Sequence, residues 1–421
     1  MNGRIPSMVR AGLFVFACFL GLLAEASGAG ARTETLSDRM DAVVKTSREL
    51  QKIRIADDLD PKVPSGATGV LGQMKHQLRD LVAAWIDSPG AVGKSPQELE
   101  SSLMTELAER GLQENDSGQH PYGRRTDVAF SRPEGHSDLL AATTTIAIQC
   151  GSDTSFYLFE RRNDRWRPVL VLESDGYREI SGAQGMPEFA VSPKDGEGRY
   201  FVAAADVSPW CTSNWQQLRF RILRPGADPS YPKILLERTE SIFLGCDPPF
   251  TLRAKADSCT LRYVSSQHLD GEMMTRPYVR TFQVTGDLVE RTAPLALKPE
   301  DFLDEWAAMP WAEAARWSAP ERHDQARGMH DALAAFLEEH FSTLAFVQPC
   351  GGASPTRWVI GVKLEEVDRQ GKPDALPAEL FATIVSRDGT YVLQNIEGTR
   401  PADCPGETPP GEGTDPCEAI E

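Results

Sequence analysis

The stretch SFYLFERRNDRWRPVLVLES, residues 155–174, decides how the middle of this chain folds. Its two halves are strand-like runs in which apolar residues, many of them aromatic or branched, are interleaved with polar ones. This composition is typical of a β-strand with a buried face. Asn163-Asp164 lies between the halves, and both residue types tolerate the left-handed backbone of a tight turn. The stretch therefore predicts an antiparallel β-hairpin.

Further runs of the same kind extend this prediction over residues 126–298. They are RYFVAAADV (199–207), LRFRILR (218–224), KILLERT (233–239), FTLRAK (250–255), CTLRYVSS (259–266) and YVRTFQVT (278–285). Turn residues and not helical patterns separate them, which favours antiparallel hairpins over parallel βαβ units. The runs form about three groups of roughly 50 residues, the size of a propeller blade. We predict an antiparallel all-β middle domain arranged as a sandwich, a meander or a propeller-like stack.

Residues 32–117, ahead of the β segment, have the pattern of helices. Apolar residues recur at steps of three and four, as on one face of a helix: Leu71, Met74, Leu78, Leu81, Val82 and Trp85. Ser95, Pro96 and Glu98 form the signature of a capping box at the start of a further helix. The sequence therefore predicts a helical N-terminal region.

The chain after the β segment is predicted to form a mixed unit. Residues 299–318 have the pattern of a helical connector. Ser318, followed by Pro320 and Glu321, is predicted to cap a long helix that opens an α+β domain at 319–405. Strand-like runs follow at 344–349, 357–367, 379–386 and 390–398. The fold class predicted for the whole chain is thus multidomain α+β.

One helix packed on a four-stranded antiparallel sheet resembles the cystatin and nuclear-transport-factor-like scaffolds. The resemblance is one of topology and covers the C-terminal unit alone. Because such scaffolds host many unrelated functions, it implies no activity. The Gly/Pro/Glu-rich residues 406–421 are predicted to be a disordered tail.

The first residues, 1–31, have the three parts of a cleavable signal peptide. Arg4 and Arg10 make a positive start, and the uncharged run Ala11–Ala24 is 14 residues long. That length suits a signal core and is short of the ~20 apolar residues that a membrane span needs. Small residues follow, with Ala-x-Ala patterns for cleavage. We expect a secreted or periplasmic protein without an integral membrane segment in its mature chain.

The charge of the chain bears on its partners. The full sequence carries a net charge of −17, and residues 1–31 contribute +1, which leaves −18 after cleavage. A net charge this negative repels the phosphate backbone of a nucleic acid, so we expect no nucleic-acid partner.

The cysteine spacing predicts disulfides and not a metal site. Seven cysteines follow the signal, and none forms a Cys-x-x-Cys pair. In an oxidising compartment such cysteines form structural bridges. The pairs favoured are Cys150 with Cys211, Cys246 with Cys259, and Cys350 with Cys404. Cys417 would be the odd thiol, although a Cys404–Cys417 bridge competes.

The segment SPWCTSNW, residues 208–215, is the candidate ligand-binding segment. It places Trp210, Asn214 and Trp215 in a loop or at a strand end of the β domain. Exposed indoles beside amide groups bind flat, amphipathic ligands, sugars among them. The structural alternative is that the two indoles close the end of the β core beside a disulfide.

The acidic residues Glu173, Asp175 and Glu179 are weak candidates for catalysis. A glycosidase needs two carboxyl groups about 5–10 Å apart across a cleft, which a sequence does not show. No nucleophile elbow, phosphate-binding loop or helical metal motif occurs. No cofactor or metal is therefore expected.

The phrases PWCTSNWQ (209–216) and PEDFLDEW (299–306) are similar to uncharacterised exported bacterial proteins. That resemblance implies export and leaves the function open. The function favoured is a non-catalytic binding or envelope-associated protein with a saccharide or envelope partner. A secreted, saccharide-directed hydrolase that uses carboxylates of the β domain is the alternative, and a purely structural envelope protein is a third.

Overall fold

The computed structural model describes most of the chain after residue 33. The described residues are 34–55, 57–112, 120–269, 275–338, 340, 342–351, 356–364, 376–406, 408 and 415–420. The predicted signal peptide, residues 1–31, lies outside them. None of the helices in the described part is long and apolar enough to cross a membrane.

Three helices form the N-terminal region. They are α1 (Leu36–Leu50), α2 (Ala67–Ile86) and α3 (Pro96–Glu109). The predicted capping box is present: Glu98 N–H donates to Ser95 Oγ at 3.3 Å, and Ser95 N–H donates to Glu98 Oε2 at 2.7 Å. The predicted apolar stripe of α2 lies in the core with the apolar faces of α1 and α3.

Four antiparallel sheets of four strands follow, and in each of them the strands lie in chain order. Sheet A contains β1 (Thr126–Ser131), β2 (Leu139–Ile148), β3 (Gly151–Arg162) and β4 (Arg165–Leu172). Sheet B contains β5 (Gly185–Val191), β6 (Val202–Val207), β7 (Trp215–Arg224) and β8 (Lys233–Phe243). Sheet C contains β9 (Phe250–Ala254), β10 (Ser258–Ser266), β11 (Thr275–Thr285) and β12 (Leu288–Thr292). Sheet D contains β13 (Ser342–Cys350), β14 (Arg357–Leu364), β15 (Glu379–Arg387) and β16 (Thr390–Glu397).

The predicted hairpin at residues 155–174 is the β3–β4 hairpin. Arg162 pairs with Arg165 across the turn. Asn163 and Asp164 both have positive φ angles, 51° and 60°, as a two-residue turn of this hand requires. Asp388-Gly389 makes the equivalent turn between β15 and β16, with φ angles of 51° and 77°. The fold is thus α+β with a largely β middle, as the sequence predicts.

Sheets A, B and C are meanders stacked face to face. Alternate residues of sheet A, such as Tyr157 and Phe159, pack against α1–α3. Its other face, with Phe156 and Leu158, packs against sheet B. The second face of sheet B packs against sheet C around Phe220 and other core residues. Both faces of sheets A and B are therefore used for packing.

Sheet D packs against a group of helices. These are α4 (Pro299–Ala308), the short α5 (Trp311–Ala314) and α6 (His323–Leu337). The prediction that Ser318 caps the long helix is wrong, because α6 begins at His323 after a 3₁₀ turn. Ser318 is buried and its hydroxyl is used elsewhere: it accepts from Trp306 Nε1 at 2.9 Å and donates to the Ala314 carbonyl at 2.9 Å. The domain boundaries derived from the sequence stay a prediction.

A buried ion cluster joins α4 to sheet C. Glu305 accepts hydrogen bonds from Arg276 Nη2 at 3.0 Å and Arg291 Nη2 at 3.0 Å, and it also pairs with Arg280. Although burial alone would raise the pKa of the Glu305 carboxyl, these guanidinium groups hold it well below its ordinary value. Asp304 pairs with Arg276 at 2.7 Å in the same cluster. Because removing one partner of a buried ion pair is strongly destabilising, this cluster helps to hold α4 against the sheet.

Three disulfides are present in the described part of the chain, and one differs from the prediction. Cys150–Cys211 and Cys350–Cys404 form as predicted. Cys246 pairs with Cys417 and not with Cys259. The reason is that Cys259 faces the core between sheets B and C, whereas Cys246 packs in a separate cluster with Ile420.

The end of the chain is consequently held in place. The prediction of a disordered tail at 406–421 is wrong for residues 415–420. Pro416–Ala419 form a 3₁₀ helix, and Ile420 is buried. Thr251 Oγ1 donates to the Ile420 carbonyl at 3.0 Å, which attaches this segment to sheet C.

Candidate functional site

A cleft of about 580 Å³ lies at one end of sheet B. Its lining comes from the loop before β7, the start of β7, the second half of β8 and one residue before β5: Ser181, Ser208, Pro209, Trp210, Trp215, Gln216, Gln217, Thr239, Glu240 and Ser241. The volume is in the range of small-molecule sites, about 300–1,000 Å³. The cleft includes both indoles that the sequence singled out.

The loop that carries Trp210 is held from two sides. Pro209 is packed between two glycines: a Cβ atom on Gly151 would lie 3.1 Å from Pro209 Cβ, and one on Gly185 would lie 2.9 Å from Pro209 Cγ. On the other side, the Cys150–Cys211 disulfide ties the loop to the turn between β2 and β3. Only glycine permits so close an approach, so the loop is placed by packing and by a covalent bond.

Trp210 is 38% exposed, although most large apolar residues of the β domain are buried. Trp215 is half-buried and its ring lies 5.1 Å from that of Phe243, its cross-strand partner. The two tryptophans therefore differ in role. Trp215 forms part of the wall, and Trp210 presents its ring to solvent at the rim.

The polar part of the lining comes from the β7–β8 pair. Gln217 lies opposite Ser241, and Trp215 precedes Gln217 by two residues. Residues two apart on a strand share a face, so Trp215, Gln217 and Ser241 lie on the same side of the sheet. One indole, one amide and one hydroxyl are thus arranged on one rigid surface.

Asn214, the third predicted binding residue, is not in the lining. It is exposed, and its carbonyl accepts a hydrogen bond from Leu244 N–H at 2.9 Å. Asn214 therefore contributes its backbone carbonyl at the start of β7. The structure therefore brings together Trp210 and Trp215 and leaves Asn214 beside them.

Glu240 is among the lining residues and was not indicated by the sequence. It lies opposite Leu218, so its side chain faces sheet C. The side chains of Trp215 and Gln217 lie on the other face of sheet B. Its Oε1 accepts from Arg280 Nε at 3.3 Å, and its Oε2 accepts from Arg280 Nη2 at 3.1 Å and from the Tyr263 hydroxyl at 2.9 Å. Burial would raise the pKa of the Glu240 carboxyl, but the charge and hydrogen bonds of Arg280 leave it below its ordinary value. Glu240 is therefore ionised at neutral pH. No short motif marks it, because its partner Arg280 is 40 residues away.

The predicted acidic residues Glu173, Asp175 and Glu179 lie outside the Trp cleft. Glu173 accepts from the Tyr157 hydroxyl at 2.9 Å and from Arg79 Nη1 at 3.2 Å, so both of its oxygens have partners. Asp175 and Glu179 are exposed. The structure does not gather the three carboxylates around one cavity.

Asp175 lines a second, shallower groove of about 490 Å³ along α2. Thr68, Gly69, Gly72 and His76 contribute to the same groove. Glu173 stands 3.9 Å from His76 Nε2, too far for a hydrogen bond.

A buried polar cluster lies behind this groove and was not foreseen. Asp153 accepts from the Ser174 hydroxyl at 2.6 Å and the Tyr177 hydroxyl at 2.7 Å, and it also pairs with Lys75 of α2. Lys75 Nζ donates to Ser174 Oγ at 2.9 Å as well. The Lys75 ammonium group and the Ser174 hydroxyl thus both contact the Asp153 carboxylate. The cluster joins α2 to sheet A.

Two further findings bear on function. Within the described residues, no group of three or more His, Cys, Asp and Glu side chains is placed to hold a metal ion. No protein-family model matches the chain, and a search of curated proteins returns no similar sequence.

Proposed function

We propose that this chain is an exported, non-catalytic binding protein whose ligand occupies the Trp210–Trp215 cleft. The ligand class that we favour is a saccharide, free or part of the cell envelope. The observation that supports this most is the exposed Trp210 ring at the rim of a cleft lined with hydroxyl and amide groups. Sugars have an apolar face and a ring of hydroxyl groups, which match an indole and neighbouring polar side chains.

The rigidity of the cleft supports a binding role. The loop that carries Trp210 is fixed by the Cys150–Cys211 disulfide and by the packing of Pro209 against two glycines. A site formed in advance loses little conformational freedom when the ligand binds. Without that constraint, an exposed indole on a mobile loop would lose part of its binding energy to ordering.

Export is supported by two independent features. Three disulfides join residues far apart in the sequence, and such bridges persist in oxidising compartments. The first residues have the charge, length and small-residue pattern of a signal peptide.

A hydrolase is the weaker alternative for this cleft. Glu240 is the single carboxylate among its lining residues, and glycoside hydrolysis ordinarily needs two. The lining therefore favours binding over bond cleavage.

Substitution of the tryptophans tests the proposal. Binding of the wild-type protein and of Trp210→Ala and Trp215→Ala to cellotriose, maltotriose and chitotriose is measured by isothermal titration calorimetry. We expect at least one trisaccharide to bind, and Trp210→Ala to weaken it about tenfold or more, because stacking on an aromatic ring is lost. Since Trp210 is 38% exposed, its removal should cost less stability than the removal of a core tryptophan.

The control is Tyr231→Ala, which removes an aromatic ring that is 78% exposed and lies outside the cleft lining. Equal affinity in wild type and both tryptophan variants, or an equal loss in the Tyr231 variant, would contradict the proposal. So would the absence of binding to every trisaccharide of the panel.

A further inference from the structure

A further cavity, of about 260 Å³, lies between sheet A and the connection from α2 to α3. It shares no lining residue with the Trp cleft at the end of sheet B. Its apolar lining comes from both sides: Ile86, Ala91 and Leu99 from the helical part, and Leu140 and Trp166 from the sheet. All of these except Trp166, which is half-buried, are buried side chains. The cavity therefore has an apolar interior of its own.

The register of sheet A shows which of its side chains face this cavity. Leu140 and Phe159 are direct partners on β2 and β3, and both pack in the core with α1–α3. Arg161 follows Phe159 by two residues on β3, and Trp166 is its direct partner on β4. Side chains two apart on a strand, or opposite each other on paired strands, lie on one face. Arg161 and Trp166 therefore lie on the helix-facing side of the sheet, where they line the cavity.

The charged residues of the lining are three cations, Lys94, Arg132 and Arg161, and two acids, Asp87 and Asp164. Asp87 Oδ1 accepts a hydrogen bond from the backbone N–H of Trp166 at 2.8 Å. The side chain of Asp164 is 95% exposed, so its pair with Arg161 is open to water and contributes little. The cavity thus has one positive charge in excess, although the whole chain carries −17.

The three cations have donors to spare. Arg132 Nη1 donates to the Ser137 carbonyl at 2.8 Å, and Arg161 Nη2 donates to Asp164 Oδ1 at 3.4 Å. Lys94 Nζ donates to a serine hydroxyl at 2.9 Å. Guanidinium and ammonium groups each carry several N–H donors. Within the described residues, each of these side chains uses one donor, and the others can bind an anion.

The helical wall of the cavity is held in place before any ligand binds. Trp85 Nε1 donates to the Leu99 carbonyl at 3.2 Å, which joins α2 to α3. The Lys94 ammonium lies 5.7 Å from the centre of the Trp85 ring. The hydrogen bond between Trp166 and Asp87 ties the end of α2 to β4. A site formed in advance loses little conformational freedom when a ligand binds.

We propose that this cavity is a second binding site, for a small carboxylate with an apolar body. The apolar body packs on Trp166 and Leu140, and the carboxylate pairs with Arg161, because a guanidinium group matches both oxygens of a carboxylate. Arg132 and Lys94 add positive charge. Since sites for drug-sized ligands have about 300–1,000 Å³, a cavity of about 260 Å³ suits one aromatic ring or a short alkyl chain. The site is independent of the saccharide cleft.

The test compares an acid with its uncharged amide on matched variants. The wild type, Arg161→Gln and Arg162→Gln are titrated calorimetrically with 3-phenylpropionate and with 3-phenylpropionamide, which have nearly the same shape. Arg162 is the matched control because it is the next residue of β3, lies on the opposite face and is not in the lining. The side chains of Arg161 and Arg162 are 55% and 64% exposed, so both variants should fold.

We expect the acid to bind the wild type and the Arg162 variant with equal affinity. The amide should bind the wild type at least about tenfold more weakly than the acid, and Arg161→Gln should bind the acid about tenfold more weakly, since a charge-assisted pair is lost. Equal affinity of the wild type for acid and amide would overturn the inference. So would the absence of acid binding, or an equal effect of the two arginine substitutions.

The indole N–H signals in NMR spectra show where the acid binds. On addition of 3-phenylpropionate, the signal of Trp166 should shift and that of Trp210 should stay in place. A shift at Trp210 without one at Trp166 would overturn the inference. The wild type alone supplies this measurement and the comparison of acid with amide, so both hold even if Arg161→Gln does not fold. Saccharide binding is tested separately through Trp210.

Discussion

At the scale of single residues, the buried carboxyl groups fall into two kinds, those that are paired with a cation and those that are not. Glu305 and Asp153 are buried and surrounded by donors, and both remain tied to cations. Asp301, one turn before Glu305 on α4, is different. It is 4% exposed, and its Oδ2 has no hydrogen-bond partner within the described residues. Burial raises the pKa of its carboxyl to about 7, although Arg276 acts in the opposite direction.

The raised pKa of the Asp301 carboxyl group predicts how the stability of the fold depends on pH. A carboxyl with a pKa of about 7 in the folded state and 3.8 in the unfolded state binds its proton more tightly when folded. It therefore contributes stability at low pH, and that contribution is lost as the pH rises from about 4 through 7. Asp301→Asn stays neutral, so its stability relative to wild type should be higher at pH 8 than at pH 4 by about 4 kcal/mol.

Urea unfolding at the two pH values measures this difference. Asp175→Asn is the control, because Asp175 is exposed and its replacement should produce no gain that depends on pH. A gain for Asp301→Asn that is equal at pH 4 and pH 8 would contradict the raised pKa.

Residue-level features of the candidate site were only partly predictable. Trp210 and Trp215 could be found because two indoles near an amide are an unusual local composition. Glu240 could not, since its environment is created by Arg280 and Tyr263 from another sheet. The partners of Asp153 likewise come from α2 and from the segment after β4. An unusual local composition can indicate a candidate binding segment. Buried polar contacts join residues that are far apart in the sequence, so they become visible only in the tertiary structure.

At the scale of elements, period-2 and period-3.6 patterns predict most strands and helices correctly. The β3–β4 hairpin and the capping box at Ser95 follow from their residues alone. The start of α6 does not, because Ser318 bonds to Trp306 and Ala314 and is not available as a cap. The Cys246–Cys259 prediction is wrong for a similar reason. Cys259 lies on the core face of β10 together with Leu261 and Tyr263, two and four residues further along the strand, and is therefore not available to Cys246.

The placement of the Trp210 loop makes an element-level prediction. Gly185 begins β5, and a Cβ atom there would lie 2.7 Å from the Val207 carbonyl oxygen and 2.9 Å from Pro209 Cγ. Gly185→Ala should therefore displace the loop. We expect a loss of about 1–3 kcal/mol in unfolding free energy and weaker trisaccharide binding.

Gly196→Ala is the matched control, because a Cβ atom there meets nothing within 4 Å. Urea denaturation and calorimetric titration of both variants give the comparison. If Gly185→Ala has the stability and affinity of Gly196→Ala, the loop is not held by this packing.

At the scale of the whole molecule, helices and sheets pack in successive layers, and disulfides link segments that are distant in the sequence. Helices α1–α3 cover one face of sheet A, sheets B and C stack on the other, and the segment 415–420 is bound to sheet C by Cys246–Cys417. The sequence indicates the α+β class and the meander order. It does not show which sheet faces pack against each other, because every strand with a buried face has the same alternation of apolar and polar residues.

The cysteines and the proposed export together make a prediction about the mature protein. The mature protein should lack the N-terminal signal and contain one thiol, Cys259, whose pKa burial raises to about 12. Denatured without reductant, it should take up one alkyl group, and after reduction seven. Intact mass spectrometry of protein purified from the periplasm or medium measures both. A chain that retains Met1, and with it Cys18, and takes up eight groups without reduction would contradict export and the three bridges.

The most direct test of the central claim, that the Trp210–Trp215 cleft is the ligand site, is an NMR titration of the tryptophan indole N–H groups. The chain has eight tryptophans, so each indole signal can be assigned by single substitution. On addition of the neutral trisaccharides, the signals of Trp210 and Trp215 should shift, and those of buried Trp306 and of Trp166 on sheet A should stay in place. Shifts confined to other tryptophans, or none at Trp210 and Trp215 with any trisaccharide, would contradict it.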